Sequence, residues 1–469
     1  MRNKLIKNLS ANTFQLIINQ LAGLIIFYII SKGLDKDSFG EISLAFAVML
    51  AAFNILSFGI DQITVRKLAS GDNPQNILPI YLCHVLITGI VFYLLLFLGQ
   101  FLFASLNVYD VILFIGAGKL MIYFSTPFKQ SAIGLERFKL LAGMSVVSNS
   151  VRAVALIVLA LLHQITLTKV IIVFVGGDVL ELIVGTCLFT LKAPAPVSIK
   201  WNKNQYVALI KESLPQFGVT VISSALARFD WIFIGLVLSA VKLAEYSFAY
   251  KVFELSTMPL LAIAPLLIPW FTRLFKDGNQ PDIDQLKFLA RMEMVIAAFT
   301  IVLINVCWAP VIDRITDGKY GLVNVHTIFI LTLCIPLQYL TNFLWTVNFA
   351  KGRLRMIFHA FVITLIVNVI GDLILIPIFK NEGAAIAYLA GYIVQTAFYM
   401  YKSDLQELNK ALYPCIICTA CACVSFWGAR FLFSNVWIAL GGSVLIYIVL
   451  LLMTRQLKFE DRNRILNPA

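Results

Sequence analysis

Long apolar runs separated by short polar links make up almost the whole chain. Each run is about 20 residues long, which is the length that an α-helix needs to cross a bilayer. Strands of a membrane barrel alternate apolar and polar residues, so these uninterrupted runs predict helices. About fourteen runs can be recognised, with about twelve as the alternative number. They lie near Leu9–Ile30, Phe39–Ile60, Leu78–Phe103, Val108–Phe128, Leu140–Leu162, Thr168–Leu191, Pro215–Leu238, Tyr246–Ile268, Glu293–Ile312, Val325–Ala350, Met356–Phe379, Gly383–Tyr401, Leu412–Phe433 and Val436–Met453.

Two pairs of similar short segments indicate an internal duplication of the sequence. The sequence GEISLAFAV from Gly40 matches AEYSFAYKV from Ala244, and GLER from Gly134 matches GRLR from Gly352. Two such pairs in the same order predict two pseudo-repeated six-helix bundles followed by a C-terminal helix pair. The predicted units are an N-terminal bundle (1–191), a cytoplasmic linker with an interfacial helix (192–214), a C-terminal bundle (215–401), and a helix pair with a cytoplasmic tail (402–469).

Composition excludes a soluble protein of this size. Of the 469 residues, 60% are hydrophobic and 13% are charged. The net charge of +12 comes from cations dispersed among short links, which indicates membrane topology and not nucleic-acid binding. Lysine and arginine are about threefold more frequent on one side of the predicted spans. This bias predicts a multi-pass membrane protein with both termini in the cytoplasm.

Four cations fall inside the apolar runs away from their ends, and a cation costs about 2.5 to 3.5 kcal/mol at a helix centre. Charges this costly usually face a water-filled cavity or a partner. Arg228 ends a stripe of polar residues spaced four apart on the seventh run, which predicts the wall of a pathway. The stripe also contains Gln216, Thr220 and Ser224, and the four cations are Lys119, Arg152, Arg228 and Lys251.

Carboxylates in the same runs supply candidate partners for these cations. Asp178 and Glu181 share one face of the sixth run, because they are three residues apart. They can neutralise Lys119 and Arg152 as static counter-ions. They can also take up and release protons, which would couple transport to a proton gradient. Both roles stay open at this point.

Three further carboxylates also leave several roles open. Glu254 lies three residues after Lys251 and can pair with it. Asp230 lies two residues after Arg228, so on a helix it points elsewhere. Asp372 ends a polar stripe on the eleventh run, where it can serve capping, packing or transport.

No motif for catalysis or cofactor binding stands out. The cysteines fall in predicted spans and the four histidines lack metal-ligand spacing, so we expect no metal site and no disulfide framework. The chain also lacks a phosphate-cradling GxxxxGK[ST] loop. Its longest predicted external link, Asp313–Asn324, is too short for the large external loop of a membrane-embedded polymerase or ligase. We therefore expect a transporter without a cofactor, driven by an ion gradient or by the gradient of its substrate.

Two segments resemble a known family. The first covers Leu214–Val252 and contains Pro215, Asp230 and the turn Glu245–Ser247. The second, LIPIFKNEGAAIAYLAGY, covers Leu375–Tyr392. The first segment resembles the seventh and eighth helices of Wzx-type polysaccharide (O-antigen) flippases. The second resembles the junction between their eleventh and twelfth helices. These flippases belong to the multidrug/oligosaccharidyl-lipid/polysaccharide (MOP) exporter superfamily.

The resemblance implies two six-helix bundles around a central cavity. It also implies an activity, which is the movement of undecaprenyl-diphosphate-linked oligosaccharide between leaflets of the bacterial inner membrane. Polysaccharide polymerase and chain-length proteins are implied partners. The lumenal cations of the family correspond here to Lys119, Arg152, Arg228 and Lys251, which would attract a diphosphate or acidic sugars.

Two alternatives come from the same superfamily. A lipid II flippase has a similar number of helices, but such proteins carry arginines in the first two helices, and the first predicted span here has none. A cation-extruding drug exporter should have an acidic cavity, whereas the predicted cavity of this chain carries four cations.

Overall fold

The computed structural model describes residues 2–103, 108–192, 201–257, 260, 283–402, 410–458 and 461. The regular structure in these ranges is helical, and no β-strand occurs within them. Eleven of the described helices are long and apolar enough to cross a membrane. The predicted all-α polytopic membrane class is therefore confirmed. The number of crossings and the repeat of two bundles stay predictions.

The chain folds into two compact units, Met1–Ala244 and Glu245–Ala469. The helices of the first unit are α1 (Arg2–Gly33), α2 (Lys36–Leu56), α3 (Ile60–Ala69), α4 (Pro74–Phe103), α5 (Val108–Gly134), α6 (Phe138–Leu161), α7 (Leu167–Lys192) and α8 (Lys203–Val237). Helix α9 (Ala240–Ser256) runs across the boundary. The second unit continues with α10 (Ile283–Ile315), a 3-10 turn (Leu322–Asn324), α11 (Val325–Ala350), α12 (Leu354–Lys402), α13 (Leu412–Leu432) and α14 (Val436–Met453).

Helix α8 belongs to the first unit because it packs against α2 and α3. The segment predicted as an interfacial helix forms its first turns, and the helix continues through Pro215. The side chain of Asn202 caps its start by accepting backbone hydrogen bonds at 3.1 and 3.2 Å.

Parts of the predicted linker (193–200), eighth run (258, 259 and 261–268) and tail (403–409, 459, 460 and 462–469) lie outside the described residues. The predicted domain bounds stay a prediction.

A break separates α2 from α3 within what the sequence pattern predicts as one run. Phe58 and Gly59 both have positive φ angles, of 52° and 71°. A Cβ atom on Gly59 would lie 3.0 Å from atoms of Gln216 on α8, so the break is also a point of close approach. The break ends α2 at Leu56 and puts Asp61 in the first turn of α3.

Helix α12 turns back on itself at Lys380, where φ is 55° and ψ is −128°. Its two limbs lie against each other, since a Cβ atom on Gly371 would be 2.8 Å from the Cβ of Ala387. Small residues allow helices in membranes to approach this closely. The apolar runs predicted at Met356–Phe379 and Gly383–Tyr401 are these two limbs.

A buried apolar core holds α4, α5, α6 and α7 together. Leu82 of α4, Phe128 of α5, Met144 of α6 and Phe189 of α7 are among its members. The rings of Phe128 and Phe189 have centroids 5.4 Å apart. In a bilayer, van der Waals packing of this kind stabilises the contact between helices. The core fixes α5 and α7 side by side, and the charged residues of both helices are positioned by it.

Candidate functional site

A cluster of charged side chains joins α5, α6 and α7 inside the first unit. Asp178 of α7 is buried. The Nζ atom of Lys119 lies 3.2 and 3.1 Å from its two carboxylate oxygens, and Arg152 donates to the same carboxylate. The pairing that the sequence predicts for Asp178 is present, and one carboxylate here balances two cations.

Glu181 has other partners than the sequence predicts. Its carboxylate accepts from Lys129 of α5 and from Ser148 of α6. The sequence pattern ends the fourth run at Phe128, whereas α5 continues to Gly134. Lys129 is therefore part of the helix and joins the cluster as a partner of Glu181, for which the sequence had left pairing with Lys119 or Arg152 open.

The cluster carries more positive than negative charge. Among the described residues it contains three cations and two carboxylates, which leaves one positive charge in excess. The side chain of Arg152 is 6% exposed, whereas that of Lys119 is 23% exposed. Charges interact more strongly where water is largely excluded. The excess charge is therefore more accessible to an anion at Lys119, and at Lys129 with 19% exposure, than at Arg152.

Two glycines give these side chains room. A Cβ atom on Gly177 would lie 2.5 Å from Nε and 2.7 Å from Cγ of Arg152. A Cβ atom on Gly118 would lie 2.6 Å from Oδ2 of Asp178. Such distances are too short for carbon, so any other residue would force the charged group to move. The close approach of the three helices at this level depends on glycine.

Lys119 lies in the wall of a cavity of about 500 Å³, here named the first cavity. Its ammonium group is 5.1 Å from the ring centroid of Phe46 and 6.0 Å from that of Phe174, which are cation–π distances. The volume lies within the range of about 300 to 1,000 Å³ that is typical of small-ligand sites. Polar residues of the same wall are Asn54, Ser57, Asp61, Tyr123, Thr126 and Gln130.

A second cavity, of about 230 Å³, is bounded by α2, α3 and α8. It shares Leu50, Asn54 and Asp61 with the first cavity. The guanidinium of Arg228 lies in its wall, 4.6 Å from the ring centroid of Trp231. The wall contains the whole polar stripe that the sequence predicts on this helix, Gln216, Thr220, Ser224 and Arg228.

The other predicted site residues do not line these two cavities. Asp230 is buried and accepts a hydrogen bond from the backbone N–H of Trp231 at 2.8 Å. In the second unit, the Nζ atom of Lys251 lies 2.7 Å from Glu254. The mutual pairing that the sequence left open is thus present, between side chains that are 29% and 46% exposed. Asp372 is fully buried on α12.

The described residues contain no group of three histidine, cysteine, aspartate or glutamate side chains that could hold a metal ion. Cys415, Cys418 and Cys421 are buried on α13 as free thiols. Small side chains of this kind suit close packing between membrane helices.

The model of a family described as polysaccharide biosynthesis protein matches residues 5–275, which is more than half of the chain. The chain belongs to this family. The membership confirms the resemblance to polysaccharide exporters on which the sequence analysis drew. No curated protein sequence matches the chain significantly.

This polysaccharide biosynthesis protein shares its fold with solved MOP-superfamily transporters. The lipid II flippase MurJ, in an inward closed conformation, matches with a TM-score of 0.76 and 13% identity, over 95% of this chain and 98% of MurJ. An inward-facing multidrug resistance MATE family transporter matches with a TM-score of 0.63 and 14% identity, over 86% and 99%. A MOP-superfamily transporter from Pyrococcus furiosus has a TM-score of 0.56 and 13% identity, over 87% and 96%. Identities this low show the fold alone.

Two charged residues of the site were not predicted from the sequence, Lys129 and Asp61. For Lys129 a signal exists, because Lys119, Thr126 and Lys129 follow a spacing of seven and then three along one side of α5. Asp61 has no comparable signal. Its place between the two cavities depends on the break at Gly59, which the pattern of apolar residues does not show.

Proposed function

We propose that this protein is a flippase for a lipid-linked oligosaccharide. Its substrate is an undecaprenyl-diphosphate-linked repeat unit, moved from the cytoplasmic to the periplasmic leaflet for the synthesis of O-antigen or another surface polysaccharide. The observation that carries the proposal is Lys119, which lies in the wall of the first cavity and belongs to a charged cluster with one positive charge in excess. Family membership supports a role in polysaccharide biosynthesis, and the fold shared with MOP transporters supports transport.

The first cavity offers the two kinds of contact that such a substrate needs. Lys119 can bind a diphosphate through charge-assisted hydrogen bonds. It can turn toward that anion without leaving Asp178 unpaired, because Arg152 still donates to the carboxylate. Phe46 and Phe53 supply apolar surface of the kind that lines most ligand sites.

The other cations extend this assignment. Arg152 adds a second positive charge beside Lys119, on the same carboxylate. Arg228 places a positive charge in the wall of the second cavity. Lys251 is proposed to bind the substrate as well. The carboxylates of the charged cluster serve as counter-ions, since each accepts from two side chains. The alternative role of the carboxylates is to couple transport to an ion gradient. The proposed counter-ion or coupling residues are Asp178, Glu181, Asp230, Glu254 and Asp372.

The proposal also covers the setting of the protein. It is a transporter and not an enzyme, and it works in the bacterial inner membrane with both termini in the cytoplasm. Its partners are membrane lipids and, for the later steps of synthesis, a polysaccharide polymerase and a chain-length protein. The walls of the first and second cavities together hold two cations, Lys119 and Arg228, and one shared carboxylate, Asp61, and this excess of one positive charge argues against an exporter of cationic drugs.

Replacement of Lys119 tests the proposal. In a strain that lacks the gene, the Lys119→Gln variant should export about tenfold to a hundredfold less surface polysaccharide than the wild type, the range for loss of a hydrogen bond to a charged group. Lipid-linked oligosaccharide should accumulate on the cytoplasmic face. Protein abundance should stay normal, because Asp178 keeps Arg152 as a partner.

Two matched variants control this experiment. Lys119→Arg keeps the charge and should retain most export. Lys169→Gln removes a partly exposed lysine of α7 that does not line the first cavity, and it should behave as the wild type. Normal export by Lys119→Gln at normal abundance would exclude Lys119 from substrate binding and remove the main support for the proposal.

A lipid II flippase is the second candidate, because the lipid II flippase MurJ has the same fold. Purified protein in vesicles should distinguish the two substrates. Translocation of undecaprenyl-diphosphate-linked repeat units without translocation of lipid II supports the proposed function. The opposite selectivity would establish the alternative.

A further inference from the structure

A third cavity, of about 380 Å³, lies within the second unit. The last third of α10, the first turns of α11 and the last turns of α13 form it, so it lies toward one end of these helices. Its volume is typical of a small-ligand site. The lining residues considered below are Asn305, Trp308, His326, Phe426, Trp427 and Arg430.

The wall of the third cavity is held by hydrogen bonds. Trp308 is buried and donates from Nε1 to the carbonyl of Gly321 at 2.8 Å, which connects α10 to the loop before α11. The carboxylate of Asp313 accepts from the backbone N–H groups of Gly321 at 2.7 Å and of Leu322 at 3.0 Å. The loop therefore has a defined position, and both oxygens of Asp313 are engaged within it.

One cation of this wall has no acidic partner within the described part of the chain. Arg430 is exposed in the last turn of α13, and its guanidinium lies 6.0 Å from the ring centroid of Phe426. His326 is exposed in the first turn of α11 and adds a second polar side chain. An anion that reaches the cavity therefore finds one full positive charge beside an aromatic surface.

These features fit a lipid that carries a single negative charge. A phosphodiester has one such charge and accepts two parallel hydrogen bonds from a guanidinium. Trp427, which is 60% exposed, is a residue type enriched at membrane–water interfaces.

Two other ligands fit less well. A saccharide needs several free polar partners, but Asn305 already donates its amide to the carbonyl of Ile301 and to the hydroxyl of Thr332, both at 2.8 Å. A diphosphate fits less well because Arg430 has no second lysine or arginine beside it in this lining, whereas Lys119 has Arg152 on the same carboxylate in the first unit. The lining favours a phosphodiester over both.

We infer that the third cavity binds the head group of an anionic membrane phospholipid. Arg430 contacts the phosphodiester, while Phe426 and Trp427 contact the glycerol and the upper part of the acyl chains. The site uses no residue of the charged cluster in the first unit. Its test is a binding experiment and does not depend on transport.

The full-length protein is purified, delipidated and offered equal amounts of phosphatidylglycerol and phosphatidylcholine, and retained lipid is counted by native mass spectrometry. The wild type should retain phosphatidylglycerol in preference. Arg430→Gln should lower that preference about tenfold, as expected for loss of a hydrogen bond to a charged group. Arg314→Gln is the matched control, because Arg314 is an exposed arginine in the last turn of α10 that does not line the cavity. An unchanged preference in Arg430→Gln, or an equal loss in Arg314→Gln, overturns the inference.

Competition experiments identify the kind of molecule that carries the bound phosphate. Inorganic phosphate and glycerol 1-phosphate should fail to displace the lipid, and displacement by either would show a site for a free phosphate. Undecaprenyl phosphate that displaces phosphatidylglycerol from the wild type at lower concentration would replace the inferred ligand with the carrier lipid. Trp427→Ala, a change at an exposed side chain, provides a second variant and should also weaken retention. Gel filtration confirms the folding of each variant.

Discussion

Among single residues, Asp178 matters most to the charged cluster, because both Lys119 and Arg152 donate to it. Asp178→Asn removes the negative charge and leaves two cations without their counter-ion. Breaking a buried ion pair in this way typically costs about 3 to 5 kcal/mol. We expect a large decrease in the free energy of unfolding, measured by thermal or denaturant unfolding in detergent.

A compensating change provides the control. Combining Asp178→Asn with Arg152→Gln restores the original excess of one positive charge and should recover much of the lost stability. A counter-ion role also predicts that any surviving Asp178→Asn protein keeps the pH dependence of transport seen for the wild type. A shifted pH profile would instead assign Asp178 to proton coupling.

Lys251 and Glu254 form an exposed pair, and pairs of this kind contribute about 0.5 kcal/mol or less. Lys251→Ala should therefore leave the midpoint of unfolding nearly unchanged. If Lys251 binds substrate, surface polysaccharide should decrease in the single variant and in the Lys251→Ala, Glu254→Ala double variant alike. Recovery of export in the double variant would show that the lysine only neutralises Glu254. Immunoblotting and quantification of surface polysaccharide separate the two outcomes.

At the scale of helices, the close approach of α6 and α7 can be tested with neighbouring glycines. Gly177→Ala places a Cβ atom 2.5 Å from Arg152 and should destabilise the protein by about 1 to 3 kcal/mol, the usual cost of overpacking. Gly176→Ala is the matched control, because a Cβ atom there meets nothing within 4 Å. It should be neutral or stabilising by up to about 1 kcal/mol, since alanine favours helix more than glycine. Equal effects of the two changes on the unfolding midpoint would contradict the described packing.

Most of these helices can be predicted from the sequence, because apolar runs of membrane-spanning length leave the backbone no stable alternative. The break between α2 and α3 cannot, since the run Phe39–Ile60 stays apolar through Phe58, and the hydropathy pattern shows neither the positive φ angles nor the close approach of Gly59 to α8. The end of α5 also differs from the prediction, because the helix continues from Phe128 to Gly134. Lys129 extends the helix into a region that a hydropathy pattern excludes, because Glu181 offsets its charge.

Only part of the charged cluster can be predicted for a similar reason. The spacing of Asp178 and Glu181 correctly indicates that both carboxylates lie on one face of a helix. Spacing along a helix gives no information on its rotation and depth relative to its neighbours. The partners of Glu181, Lys129 and Ser148, are set by how α5, α6 and α7 pack, and that packing needs the structure.

For the molecule as a whole, the distribution of lysine and arginine predicts its orientation in the membrane. A reporter that is active only in the cytoplasm should be active when fused after Met453. The same reporter inserted into the loop Asp313–Asn324 should be silent. Activity in the loop together with silence after Met453 would reverse the predicted orientation.

Gly118 and Gly177 have no side chain, and the space that this leaves is filled by the side chains of Asp178 and Arg152. Selection that maintains the two charged groups therefore also acts on two positions that carry no functional group. In homologous sequences, position 177 should covary with position 152, and a larger residue at 177 should accompany loss of the arginine. A search for the site that considers ionisable residues alone would overlook the positions that constrain its evolution.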